Sequence, residues 1–232
     1  MAQNVAISED EEKPRLSKKQ LQEDALYGLA KGIGGAILKN FAGLKLEGEE
    51  NIPYRGKAIL TTISKNVIRD MLILSQLTAR KIHFMLPAKL MKHQIAGPIF
   101  KSLGVIRGTE SKDDTEPIDK VFEIINEKGD LVAMTPEAKY DRDIQVKSVA
   151  GIIKFAAAAD APIIPIAVTK EKTKLFNLIS IDGIKVKVSK PIPVSNKLNR
   201  EKFRDQRYEL AEDIVNIIDS LKYTPSEEED EE

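Results

Sequence analysis

Cysteine and tryptophan are absent from this chain of 232 residues, and histidine occurs only twice. Without cysteine the chain can form neither a disulfide bond nor a thiolate metal site. Its two histidines, His83 and His93, are too few for a histidine-rich metal centre, so we expect no bound metal. Aromatic residues make up only 5% of the chain, which leaves Ile, Leu, Val and Ala to form the core.

The charges balance, with 36 basic and 36 acidic residues. A net charge of zero provides no global attraction to nucleic acid, and we expect no nucleic-acid partner. The polar and acidic N-terminus does not resemble a secretory signal peptide, and no stretch of transmembrane length is free of charge. Composition predicts a disordered leader at residues 1–16, one folded domain at 17–222 and a disordered acidic tail at 223–232.

Apolar runs that end in turn residues alternate with helical patterns through the middle of the chain. This alternation predicts a single α/β domain with a mixed, mostly parallel sheet flanked by helices. Strands are predicted at residues 57–62, 81–86, 130–134, 162–168 and 185–188. Helices are predicted at residues 67–79, 88–103, 115–128, 149–159 and 201–221.

An N-terminal amphipathic helix is predicted between Ser17 and Leu44. Ser17 is a suitable N-cap. Two interpretations of the apolar face are open: it packs on the core, or it lies on a bilayer with Lys31 and Lys39 level with the headgroups. The apolar residues that recur near helical spacing are Leu26, Leu29, Ile33, Ile37 and Phe41.

Four short sequence blocks follow one another along the predicted domain. They occupy residues 63–70 (ISKNVIRD), 103–108 (LGVIRG), 131–138 (LVAMTPEA) and 161–168 (APIIPIAV). Their order and spacing resemble the glycerolipid acyltransferase family, which includes the lysophosphatidate and glycerol-3-phosphate acyltransferases. In that family the blocks contain His-x4-Asp, a Gly-x-x-x-Arg-like motif, Phe-Pro-Glu-Gly, and a proline-rich apolar strand. The resemblance extends over residues 44–194.

The resemblance assigns site residues to this chain and also shows where the chain departs from the family. Lys65 stands at the position of the catalytic histidine, and Thr135 and Ala138 replace the phenylalanine and glycine of the third block. By resemblance, the catalytic positions are Lys65 and Asp70, and the substrate-binding positions are Gly104, Arg107, Pro136 and Glu137.

Lysine at position 65 is a poor replacement for a general base. A base must be neutral to accept a proton from an acceptor hydroxyl, and imidazole meets that condition near pH 7. A lysine with an ordinary pKa of ~10.4 is neutral in only about one molecule in ~2,500 at that pH. A nearby Asp70 favours the charged form further, so we predict a Lys65–Asp70 ion pair that is structural or binds an anion.

The other site residues have both functional and structural interpretations. The resemblance implies that Arg107 contacts the acceptor phosphate, for which its guanidinium is well suited, but a surface arginine at a strand end is the alternative. It implies that Glu137 helps to hold the acceptor, whereas the alternative is a carboxylate that accepts hydrogen bonds from the local backbone. Lys139 and Arg142 either contact phosphate or form a solvated charge cluster. We expect His83 to be structural and half-buried, and His93 to lie on the surface.

The resemblance implies transfer of an acyl chain from acyl-CoA or acyl carrier protein to a lysophosphatidate-like acceptor in phospholipid synthesis. It implies no cofactor, and it implies a cytoplasmic protein that is peripheral to the membrane. Because the histidine is missing, two alternatives stay open. One is a catalytically silent relative that binds lipid or acyl donor, or scaffolds a partner. The other is an acyltransferase that uses Lys65 or a substrate phosphate as its base.

Overall fold

The computed structural model describes residues 17–111, 113–137, 139–175 and 179–222. The predicted leader and acidic tail lie outside these residues. Within them, seven strands form one sheet in the order β1-β7-β6-β2-β5-β3-β4. The strands are β1 (Lys45–Glu47), β2 (Ala58–Thr61), β3 (Ile82–Leu86), β4 (Ile106–Arg107), β5 (Leu131–Met134), β6 (Ile163–Leu175) and β7 (Ile179–Val188).

Helices cover both faces of this sheet. They are α1 (Lys18–Phe41), α2 (Val67–Leu74), α3 (Ala88–Met91), α4 (Ala96–Ser102), α5 (Glu116–Phe122), α6 (Arg142–Ala159) and α7 (Arg204–Lys222). The five strands β6, β2, β5, β3 and β4 are parallel to one another, whereas β7 is antiparallel to β6 and carries β1 parallel to itself. The predicted single α/β domain with a mixed, mostly parallel sheet is therefore confirmed.

The core consists of two apolar layers, one on each face of the sheet. Neighbouring residues of β2 show the division, because side chains alternate between faces along a strand. Ile59 packs in the layer that contains residues of α6 and α7, and Leu60 packs in the layer that contains residues of α2. All residues of β2 and β5 are buried, as expected for central parallel strands with helices on both sides.

The predicted helix at 88–103 is interrupted between α3 and α4. Pro98 lacks a backbone N–H and occurs in the first turn of α4, where a helical hydrogen bond is not required of it. His93 is exposed, and its Nδ1 accepts hydrogen bonds from the backbone N–H groups of Ile95 and Ala96, which start α4. The predicted helix at 115–128 likewise changes after α5 into a π-helical turn at Glu123–Glu127.

Strands β6 and β7 are longer than predicted because they continue as an antiparallel pair from Ile166↔Val188 to Leu175↔Ile179. From Thr169 to Lys174 the sequence of β6 is entirely polar or charged, so its apolar run ends while the strand continues. Strands β1 and β4 were not predicted, since three and two residues are too short to give a periodic signal.

Helix α1 packs on the domain through a narrow face and exposes the predicted apolar stripe. Gly34 and Gly35 are buried beside α2, where the absence of side chains permits close approach, and Leu38 is buried in the core. Its predicted apolar residues Leu26, Leu29, Ile33 and Ile37 are 42%, 61%, 56% and 53% exposed. Core packing is therefore the wrong interpretation for these four residues. No helix in the described ranges is long and apolar enough to cross a bilayer.

Candidate active site

The carboxyl ends of strands β2, β5, β3 and β4 meet at one edge of the sheet, where an open parallel sheet places its binding crevice. The segments that follow these strands carry Lys65, Glu137, Lys89 and, at the end of β4, Arg107. The first and third sequence blocks are joined directly here, because the Ser64 backbone N–H donates to the Pro136 carbonyl at 2.9 Å.

Asp70 is buried in the first turn of α2, with only 1% of its surface exposed. The Ser64 hydroxyl donates to Asp70 Oδ2 at 2.6 Å. On the other carboxylate oxygen, Oδ1 accepts from Arg69 Nε at 2.7 Å and lies 2.6 Å from a terminal guanidinium nitrogen. The predicted Lys65–Asp70 ion pair is therefore wrong, because Ser64 and Arg69 satisfy the carboxylate instead.

The Lys65 side chain is exposed and lines a cleft of about 200 Å³, which we call the lysine cleft. Three segments contribute to it: the one that follows β2 and enters α2, helix α3 after β3, and the loop after β5. Of its charged lining residues, three are lysines and one is a glutamate. The full lining is Ser64, Lys65, Asn66, Val67, Ile68, Lys89, Leu90, Glu137 and Lys139.

Glu137 is held in the lysine cleft by two ion pairs. Lys139 Nζ lies 2.6 Å from Glu137 Oε2, and Lys89 Nζ lies 3.3 Å from Glu137 Oε1. The hydrogen bond from Lys139, with a further one from Lys89, lowers the pKa of Glu137 against the opposing effect of burial. Glu137 raises the pKa of Lys139 in return. These contacts keep the carboxylate ionised and also occupy both of its oxygens.

Arg107 occupies a different environment, a groove of about 1220 Å³ that it shares with Gly104 along the β4 edge of the sheet. Its guanidinium donates to both oxygens of Asp114, at 2.5 and 3.0 Å, and to Glu116 at 2.9 Å. Glu110 lies 3.6 Å away. The hydrogen bonds from Arg107 lower the pKa of Asp114, and Asp114 and Glu116 together raise the pKa of Arg107.

The structure therefore divides the predicted site residues into groups. Lys65 and Glu137 share the lysine cleft, while Gly104 and Arg107 line the larger groove. Asp70 and Pro136 are buried, and the Pro136 carbonyl supports the turn at Ser64. Gly104 has a positive φ of 71° in the turn that joins α4 to β4, a conformation suited to glycine.

Two residues of this region, Ser64 and Lys89, were not predicted from the sequence. Ser64 lies in the first sequence block, six residues before Asp70, and a hydroxyl that can donate to a nearby carboxylate was the available signal. Lys89 follows β3, and its relation to Glu137 depends on β3 and β5 being neighbours in the sheet. Arg142, proposed as a phosphate contact, instead pairs with Asp219 and Asn216 on α7.

The arrangement offers cations at the sheet edge and no imidazole among the residues that line the lysine cleft. Ammonium groups suit the binding of an anion or of a developing negative charge. They do not suit the removal of a proton from a hydroxyl near pH 7, because a charged ammonium has no free lone pair.

Comparisons with known proteins agree with this fold. The acyltransferase family model matches residues 43–169, which is more than half of the chain. The 1-acyl-sn-glycerophosphate (LPA) acyltransferase PlsC from Thermotoga maritima has a similar structure, with a TM-score of 0.58 and 16% sequence identity. That similarity covers 91% of this chain and 86% of the PlsC chain. No match was found among curated proteins. The chain therefore belongs to the acyltransferase family.

Proposed function

We propose that the protein transfers an acyl chain from acyl-CoA or acyl carrier protein to a lysophosphatidate-like acceptor in phospholipid synthesis. Membership of the acyltransferase family supports the reaction type, and the similarity to PlsC, a 1-acyl-sn-glycerophosphate acyltransferase, supports the acceptor class. The observation that carries the proposal is the meeting of the first and third blocks at one edge of the sheet, with Lys65 and Glu137 in one cleft.

The same proposal places the protein at a membrane surface, where an acceptor with one acyl chain resides. Helix α1 supports this, because its stripe of Leu26, Leu29, Ile33 and Ile37 faces outward from the domain. Lys39 lies in the last turn of the same helix and is exposed, so its ammonium group is free to contact anionic headgroups. An apolar stripe between cationic ends is typical of a helix that lies in the interface.

Acyl transfer is tested by incubating the full chain with a thioester donor and lysophosphatidate in mixed vesicles, and by detecting phosphatidate by mass spectrometry. Repeated turnover that falls at least about 100-fold in Glu137→Gln supports the proposal, since positioning and charge stabilisation contribute on that scale. Lys147→Ala, on the exposed face of α6, is the matched control and should leave the rate unchanged. Absence of product with every donor contradicts the proposal.

A second candidate function is favoured by the contacts of Asp70. Ser64 and Arg69 satisfy this carboxylate, and the ammonium at position 65 cannot serve as an imidazole does. This geometry supports a catalytically silent relative that binds lipid or acyl donor. Binding of lysophosphatidate without product formation would favour this second candidate. Catalysis with Lys65 as base requires that Lys65→Met abolish turnover, and that Lys65→His not increase it.

The membrane contact is tested by flotation with phosphatidylglycerol vesicles. We expect the wild type to float, and Leu29→Asp with Ile33→Asp to remain in the soluble fraction, because two charges would enter the apolar region. Tyr54→Asp with Ile144→Asp is the control, since both residues are exposed elsewhere and the charge change is the same. Equal flotation of the two double variants would show that α1 is not the membrane contact.

A further inference from the structure

The charges in the lysine cleft do not balance. Lys89 and Lys139 share the single carboxylate of Glu137. Lys65 has no ion pair within the described ranges of the chain, although its side chain lines the same cleft. The lining thus carries two positive charges in excess, and its three lysines come from three separate segments of the chain.

We propose that Lys65 is an anion-binding residue, and that it acts with Lys89 and Lys139 to hold a phosphomonoester. A phosphomonoester is close to a dianion at neutral pH, which matches the excess charge of the cleft. Each ammonium supplies three donors on a flexible stem, so three lysines can surround one tetrahedral group. The cleft of about 200 Å³ admits a phosphate group and leaves a long acyl chain outside.

This location differs from the one that the sequence blocks indicate. Arg107 lies three strand steps from β2 along the sheet, roughly 14 Å at the usual strand spacing. Asp114, Glu116 and Glu110 already surround its guanidinium and give the neighbourhood a negative excess. A phosphate that approached Arg107 would meet these carboxylates, whereas in the lysine cleft it would meet one carboxylate and three cations.

The inference deepens the proposed function, on which it rests only for the glycerolipid as the source of the phosphate. Binding of the phosphate group by the three lysines does not require that the protein transfer an acyl chain. A cation at position 65 then has a use that does not require it to lose its proton: it fixes the ligand headgroup at the edge of the sheet. Binding is measured without an acyl donor, so a failure of acyl transfer in the separate assay does not alter the outcome.

The test is calorimetric titration of the full chain with glycerol 3-phosphate at low ionic strength. We expect Lys65→Met to weaken binding about tenfold, as the loss of a charged hydrogen bond predicts. Lys147→Met removes the same charge from the exposed face of α6 and should leave affinity within about twofold. Glu137→Gln should strengthen binding, because Lys89 and Lys139 are then released to the ligand.

A pH series separates a charge effect from a structural one. Lys65→His should bind glycerol 3-phosphate at pH 6 and lose most of that affinity by pH 8, because an ordinary imidazole loses its charge near pH ~6.5. The wild type should bind slightly more tightly at pH 8 than at pH 6, because the phosphate, with a second pKa near ~6, becomes fully dianionic over this range. A purely structural role for Lys65 would give the same ratio of wild-type to variant affinity at both pH values.

Further probes identify the source of the phosphate. Glycerol should not bind, and inorganic phosphate should compete with glycerol 3-phosphate. If coenzyme A competes with glycerol 3-phosphate more strongly than 3′-dephospho-coenzyme A does, the site binds the donor. If the two forms compete equally and water-soluble short-chain lysophosphatidate also competes, the site binds the acceptor. The inference is overturned if the wild type binds none of the phosphate probes. It is also overturned if Lys65→Met binds as the wild type does, or if Arg107→Met abolishes binding that Lys65→Met preserves.

Discussion

Removing the hydroxyl of Ser64 tests the central contact of the site. Ser64 and Asp70 are each 1% exposed, and the hydroxyl donates to the carboxylate at 2.6 Å. A hydrogen bond to a charged group contributes about 1.5–3 kcal/mol. Because Arg69 still donates to the other oxygen, Ser64→Ala leaves the charge partly compensated, and we expect a loss of about 2 kcal/mol in the free energy of unfolding. For a chain of this size, that corresponds to a fall in Tm of about 4–8 °C.

Urea unfolding followed by circular dichroism measures this change. Ser220→Ala is the matched control, because that hydroxyl is exposed and donates only to the Ile217 carbonyl within α7, so the loss should stay below about 0.5 kcal/mol. In an Asp70→Ala background, Ser64→Ala should cost at least about 1 kcal/mol less than in the wild type, since only the hydrogen bond from the Asn66 backbone N–H to the hydroxyl oxygen then remains to be lost. The reasoning is refuted if Ser64→Ala costs no more than Ser220→Ala, or costs the same with and without Asp70.

Two further predictions concern positive-φ glycines and the carboxylate of Asp130. Gly48 and Gly56 both have positive φ, but a Cβ at Gly48 would overlap the Val188 carbonyl, whereas Gly56 has open space. In urea unfolding, Gly56→Ala should therefore cost about 1 kcal/mol and Gly48→Ala at least about 1 kcal/mol more, and equal losses would contradict the close approach. His83, whose Nε2 lies 3.4 Å from Asp130 Oδ2, and Arg80 lower the pKa of Asp130 below its ordinary 3.8. The contribution of Asp130 to stability is therefore present above that pH and is lost as the pH falls through the lowered pKa. Unfolding measured between pH 5 and 2 should show a shallower acid dependence in Asp130→Asn, and an unchanged dependence would disprove the effect.

The sequence predicted the fold where burial leaves a simple pattern. Strand β5 is fully buried and lies between two strands, so its apolar run ends where the strand ends. Strand β6 continues past Val168 with polar and charged residues, and there it pairs only with β7, since its pairing with β2 ends at Pro165. The interruption between α3 and α4 depends on His93 as a cap, a role that periodicity does not reveal.

The sequence predicted the contacts of the candidate site residues only in part. Lys65 and Glu137 line the same cleft, because the strands that precede them are parallel neighbours in the sheet. The predicted partner of Asp70, Lys65, was wrong, because the turn after β2 directs Ser64 inward to the carboxylate and leaves Lys65 exposed. The environment of Arg107 depends on where the loop after β4 places Asp114 and Glu116, and charge spacing along the chain does not determine that placement.

The contacts of Asp70 give it a structural role that does not depend on catalysis. Its carboxylate lies in the first turn of α2, where negative charge is stabilised by the helix dipole. Through Ser64 it also fixes the end of the segment after β2, and the Ser64 backbone N–H in turn donates to Pro136 after β5. The carboxylate thus connects a helix to two strand ends, which holds the lysine cleft in shape. Its presence alone is therefore no evidence for proton transfer.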